Sequence, residues 1–139
     1  MRKFTFSLIF PLLLLVACGR KADPQPAELV RPKPIATLAA ETRNEGIHLQ
    51  WIRPEQYVNG KRIDDLGGFL VFRGVPGAQA EEIATIPVSD RERFQREKKY
   101  EYLDRKVEKG QTYYYRVVSF TTDHYYSAPS NEAILAPPQ

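Results

Sequence analysis

The chain has almost nothing with which to cross-link, coordinate a metal or run acid–base chemistry. It contains one cysteine, Cys18, and two histidines, His48 and His124, in 139 residues. A lone cysteine forms no disulfide within the chain, so any folded domain must be held by its core. The histidines are 76 positions apart with no further cysteine, which matches no metal-ligand spacing. Asp64-Asp65 sits in a glycine-flanked stretch, but its oxygen ligand set is too thin for calcium. No G-x-S-x-G nucleophile turn and no glycine-rich phosphate loop occur. The expectation is a protein that is not an enzyme and holds no metal. His48 falls on the outward parity of an alternating run and is expected to face solvent. His124 is expected in the last loop.

Charge of one sign is also scarce. Lys and Arg total 20 against 17 Asp and Glu, and without Arg2 and Lys3 the balance is 18 against 17. The basicity is therefore partly that of the first three residues, and no basic block with interleaved aromatics points to nucleic acid. The mixed run from Asp90 to Lys99 reads as a solvated face or loop.

One apolar run stands out. Phe4 to Val16 follows Arg2 and Lys3, and at thirteen residues it falls short of the roughly 20 that span a bilayer. Residues 1–17 are read as a signal peptide. The segment Leu15-Val16-Ala17-Cys18 resembles a bacterial lipoprotein box. That resemblance implies cleavage before Cys18, a diacylglyceryl group on its sulfur and a further acyl chain (a palmitate, for instance) on its amine. One chain alone binds a membrane marginally, whereas several anchor it stably. No cofactor beyond this covalent lipid is expected. The resemblance also implies a cell-envelope location, and Gly19 in place of the Asp that retains such proteins inside favours the outer membrane of a two-membrane cell. The start Cys18-Gly19-Arg20-Lys21 followed by prolines is similar to very small lipoproteins that assist outer-membrane assembly.

Residues 19–34 hold Pro24, Pro26, Pro32 and Pro34 without apolar periodicity. With Cys18 they are read as a linker, 18–34, extended at about 3.1 Å per residue and standing the domain off the membrane. From 35 to 136 the pattern is of short strands broken by turn residues. Strands are expected at Ile35–Thr42, Ile47–Trp51, Phe69–Arg73, Glu82–Ile86, Tyr100–Asp104, Thr112–Thr122 and Ser130–Leu135, with Gly67-Gly68 as a breaker. Ser89 or Asp90 would cap a turn or two of helix before Lys99. The fold class is all-β, a two-sheet sandwich of about seven strands.

Several motifs agree on one family. Ile47-x-Leu49-x-Trp51 is followed by Pro54; Phe69-x-Val71 precedes Phe72-Arg73; Gly110 precedes Tyr113-x-Tyr115-Arg116-Val117-x-Ser119; and Ser127-Ala128-Pro129-Ser130 comes near the end. Residues 35–136 thus resemble a fibronectin type III domain, an immunoglobulin-like sandwich. The resemblance places Tyr113 at the tyrosine corner, where a phenol bonds to upstream backbone. Val107, Lys109 and the long segments 55–67 and 88–99 depart from the family pattern.

By parity, Ile47, Leu49, Trp51, Phe69, Val71, Tyr113, Tyr115, Val117 and Ser119 face the core. Leu70, Phe72, Tyr114, Val118 and Phe120 face away, around Arg116, and form a candidate apolar binding surface unless residues 55–67 or 88–99 fold over it. Tyr125 and Tyr126 in the last loop form a second candidate, suited to rigid aromatic contacts or to sugar rings. The expected role is a membrane-anchored module that binds an envelope protein or acts as a scaffold. Polysaccharide recognition is the alternative, assistance in outer-membrane assembly a third reading, and a plain spacer a fourth.

Overall fold

A computed structural model describes residues 24–95 and 98–136. The signal segment, Cys18 and the first residues of the linker lie outside the described residues.

Alternating apolar residues build seven strands: β1 (Ala39–Arg43), β2 (Gly46–Ile52), β3 (Leu66–Gly74), β4 (Glu81–Pro87), β5 (Lys99–Asp104), β6 (Tyr113–Thr121) and β7 (Ala133–Leu135). One helical turn, α1 (Asp90–Arg93), joins β4 to β5. The strands pair antiparallel into two sheets, ordered β1-β2-β5 and β4-β3-β6-β7. This is the expected sandwich. Each strand turns every second residue inward, so Ile47, Leu49 and Trp51 meet Phe69, Val71, Tyr113, Tyr115 and Val117 in one buried cluster. Trp51 stands edge-on to Phe69 at 5.5 Å between centroids and stacks on Tyr100 at 6.4 Å. Rings at such distances add to the area they bury.

Two polar devices lock this core. The Tyr113 hydroxyl accepts a hydrogen bond from the Glu108 amide at 3.1 Å, which is the expected tyrosine corner. Asp104, buried at the end of β5, accepts from Arg73 Nη1 at 3.1 Å, from the Tyr115 hydroxyl at 2.9 Å and from the Lys106 amide at 3.0 Å. Burial, and then the neighbouring Asp104, push the Tyr115 phenol well above its ordinary range.

Several expectations are corrected. β1 begins at Ala39 rather than Ile35, because Ile35 and Leu38 give their backbone groups to Asn131, while Thr37 meets β2 only through its hydroxyl, which accepts from Ile52 N at 2.9 Å. Ile35 and Leu38 are buried, and Asn131 stands in for a partner strand: its side chain accepts from Leu38 N at 3.0 Å and donates to Leu38 O at 2.8 Å. β7 begins at Ala133 rather than Ser130, since serine side chains take over the pairing before it. Gly67-Gly68 does not break the chain; β3 runs through both, and the Phe120 ring lies where a Gly68 side chain would be. His48 keeps the outward parity expected of it but is 4% exposed. Its imidazole is closed in between Glu41 at 3.2 Å and Glu101 at 3.4 Å, from the strands on either side. Arg43 holds the Glu41 carboxyl below its usual range, and Lys99 does the same for Glu101.

The last part of the presumed linker is folded. Ala27–Leu29 form a short 3-10 turn, and the next residues lie along the 55–63 hairpin. Val58 N bonds Arg31 O at 3.0 Å, Asn59 N bonds Leu29 O at 3.1 Å and Lys33 N bonds Gln56 O at 2.9 Å. Pro32 is fully buried opposite Tyr57. Residues 29–33 are thus a strap on the domain and not part of a free tether.

Segment 88–99 does contain a helical turn. Ser89 caps it by a reciprocal box with Glu92, while the buried Arg53 guanidinium donates to the carbonyls of Glu92, Arg93 and Gln95. That ties α1 to the end of β2.

Candidate binding surface

The outer face of the four-stranded sheet gathers most of the residues singled out for it. β3 turns Leu70 and Phe72 outward, and β6 turns out Tyr114, Arg116, Val118 and Phe120. Register places Phe72 opposite Arg116 and Leu70 opposite Val118. Among the described residues, neither long segment covers them. Hairpin 55–63 carries the strap, and α1 is fastened to Arg53 and, through Arg93 Nε, to Leu66 O at 3.1 Å.

A groove of about 320 Å³ opens on this face, lined by Phe72, Gln79, Ala80, Tyr114, Arg116, Val118 and Pro129. Its two sides have different origins. On one, the turn that follows β3 is fixed by Tyr114: the ring lies over Gly74, where any side chain would collide with it, and the hydroxyl donates to Ala78 O at 2.6 Å. On the other, Ser127 and Ser130 bracket Ala128-Pro129. Their hydroxyls accept from the Ser119 and Val117 amides at 3.0 and 2.9 Å, and their own amides bond the Ser119 and Val117 carbonyls. Strand pairing thus continues past β7 while Pro129 is set against the groove. Arg116 borders it, with Nε and Nη2 donating to Glu132 at 3.0 and 2.6 Å and its guanidinium 5.3 Å from the Tyr114 ring centre.

The structure separates the remaining candidates. Leu70 lies beside the groove, half-buried, and is not among its lining residues. Phe120 belongs to a different cluster, 5.8 Å from Tyr126 and 6.3 Å from His124. Tyr125 and Tyr126 are exposed at 39% and 46%, in a turn where His124 adopts a positive φ of 63°. Gln79 and Ala80 were invisible to strand periodicity, because they come from a turn. Pro129 was readable within Ser127–Ser130, although its contact with the groove was not.

Two other places carry polar clusters. A cleft of about 460 Å³ opens between the edges of β4 and β5, lined by Arg73, Glu81, Ile83, Tyr102, Asp104 and neighbours, and Arg73 pairs there with both Glu81 and Asp104. The Tyr57 hydroxyl meets Asp65 at 2.6 Å and Asp64 at 3.1 Å, so those carboxylates serve the 55–65 loop. Among the described residues no group of three or more potential ligands is placed to hold a metal ion.

No family model matches the chain, and no curated protein matches it. Solved structures do. A fibronectin type III-like protein from Clostridium thermocellum is 24% identical, with a TM-score of 0.51 over 78% of this chain and 95% of that one. The twitchin kinase region from Caenorhabditis elegans is 15% identical, with a TM-score of 0.56 over 78% of this chain and 17% of that one. A β-1,2-glucanase from Parabacteroides distasonis is 18% identical, with a TM-score of 0.52 over 82% of this chain and 14% of that one. The chain therefore spans nearly all of the first and a small part of the other two. At these identities the likeness concerns the fold: the two antiparallel sheets are a fibronectin type III-like, immunoglobulin-like β-sandwich.

Proposed function

We propose that this chain is a lipid-anchored cell-envelope protein whose sandwich is a non-enzymatic binding module, docking a protein partner in the groove on its four-stranded sheet. The observation that carries the reading is the groove itself. Phe72, Tyr114, Val118 and Pro129 give it apolar surface, Tyr114 is pinned at its ring and its hydroxyl, and the described loop residues leave the face open. Interface energy concentrates where an anchor side chain fills a preformed, desolvated pocket beside aromatic and arginine residues. Arg116 and Glu132 at the border supply a polar rim. The anchor rests on Cys18 and its preceding apolar run, and the outer membrane on Gly19.

Polysaccharide recognition has less behind it. Tyr126 is tilted 43° to Phe120 and 83° to His124, so these rings offer no flat stacking platform. A photoreactive residue at Gln79, on the groove wall, in intact cells, tests the proposal. A discrete protein adduct, lost on Phe72→Glu with circular dichroism unchanged, is the expected result. A glycan-positive smear, or an adduct indifferent to Phe72→Glu, would overturn the protein-docking reading.

A further inference from the structure

Large apolar side chains left in water are not spread evenly over this molecule. Among the described residues eight are exposed, and six of these, Leu29, Ile52, Val58, Phe94, Tyr125 and Tyr126, lie at one end of the sandwich. Only Val75 and Ile134 lie elsewhere, Val75 in the turn at the opposite end. Scattered exposed apolar residues need no explanation, but a gathering of them marks a contact site.

Hydrogen bonds tie the pieces of this end together. The strap carrying Leu29 bonds the hairpin at Val58 and Asn59. Thr122 N bonds Asp65 O at 2.8 Å, which brings the turn of Tyr125 and Tyr126 against the same loop. Arg53, next to Ile52, holds the carbonyls on both sides of Phe94. Phe94 itself is 77% exposed.

This is also the end at which the chain enters. Ala27 is nine residues after Cys18, and nine residues span at most about 32 Å even when fully extended. A lipid on Cys18 would therefore hold the domain by this end, with the opposite end farther from the attachment by the length of the strands, about 30 Å for the nine residues of β6. Tyrosines suit the headgroup level, with apolar rings inward and hydroxyls in water. Arg31, Lys33, Lys61 and Arg62 on the strap and hairpin have long stems that let apolar carbons descend while the charge stays wet.

We infer that the end of the sandwich bearing Leu29, Val58, Phe94, Tyr125 and Tyr126 rests on the lipid surface. The domain stands upright on its membrane through this end, with the groove turned sideways. For its setting in the cell this inference rests on the lipidation of Cys18, but the surface can be tested without it.

The test uses residues 18–139, which include every described residue, coupled through the only thiol to a maleimide phospholipid. The vesicles are of phosphatidylethanolamine and phosphatidylglycerol with brominated acyl chains. Tryptophan is introduced by Phe94→Trp, Val58→Trp or, at the far end, Val75→Trp, against the buried Trp51 as constant background. Quenching of the added emission at 94 and 58, several-fold above that at 75, is expected. Equally weak quenching at all three, or stronger quenching at 75, would overturn the inference. The mass of the mature chain isolated from cells reports the lipid on Cys18 separately, so either idea can fail without the other.

Discussion

Asp104 is 2% exposed, with an arginine, a phenol and an amide all donating to it. Removing one member of a buried, hydrogen-bonded set costs more than the set contributes as a whole, because its partners lose their bonds without regaining water. Asp104→Ala is therefore expected to lower unfolding free energy by about 3–5 kcal/mol, read from a urea midpoint. A loss no larger than that of an exposed pair would mean that Arg73 and Tyr115 find other partners. The inward residues were legible because period two needs only the local run, and Trp51, Phe69 and Tyr115 were all assigned to the core from it. His48 shows the limit. Its parity was readable, yet its burial depends on Glu41 and Glu101 closing over it from two other strands, and that adjacency exists only once the sheet order is known.

Among the elements, one edge of the sandwich is closed by side chains rather than by strand pairing. Where β1 approaches β7, Asn131 bonds both backbone groups of Leu38, and the Thr42 hydroxyl donates to Ala136 O at 2.8 Å. Asn131→Ala leaves the Leu38 amide and carbonyl without those partners and is expected to cost about 1–3 kcal/mol. In native-state hydrogen exchange the Leu38 amide should lose protection before those of β3 and β6; unchanged exchange at Leu38 would show that the side chain is dispensable. Such side-chain substitutes for strand pairing explain why β1 and β7 came out shorter than their apolar runs suggested. The strap was missed for a related reason. Proline-rich composition predicts extension correctly, but whether an extended segment stays free depends on a groove elsewhere, here the one that Tyr57 and its hairpin supply to Pro32.

For the molecule as a whole, stability and recognition reside in different layers. The core between the sheets holds the fold, whereas the groove uses side chains on the far side of β3 and β6. Arg116→Ala removes an exposed ion pair, so the stability change is expected to stay below about 1 kcal/mol while partner capture weakens. A cooperative loss of folding comparable to that of Asp104→Ala would place Arg116 in the scaffold instead. The outward apolar face was legible as a list of residues. Its shape was not, since Gln79, Ala80 and Pro129 come from turns whose positions no periodicity encodes.

The strap also decides how the molecule answers a pull. Under the proposed anchoring, load from the membrane enters the domain at Pro26 and meets the bonds of Leu29, Arg31 and Lys33 to the hairpin before it reaches either sheet. Those bonds are few, and they lie outside the main ladders. Peeling Ala27 to Lys33 away would lengthen the leash by at most about 25 Å at full extension and leave β1–β7 intact. A partner held in the groove could then recede by that distance before the sandwich itself bore tension, which makes the strap a mechanical fuse between the bilayer and the binding face.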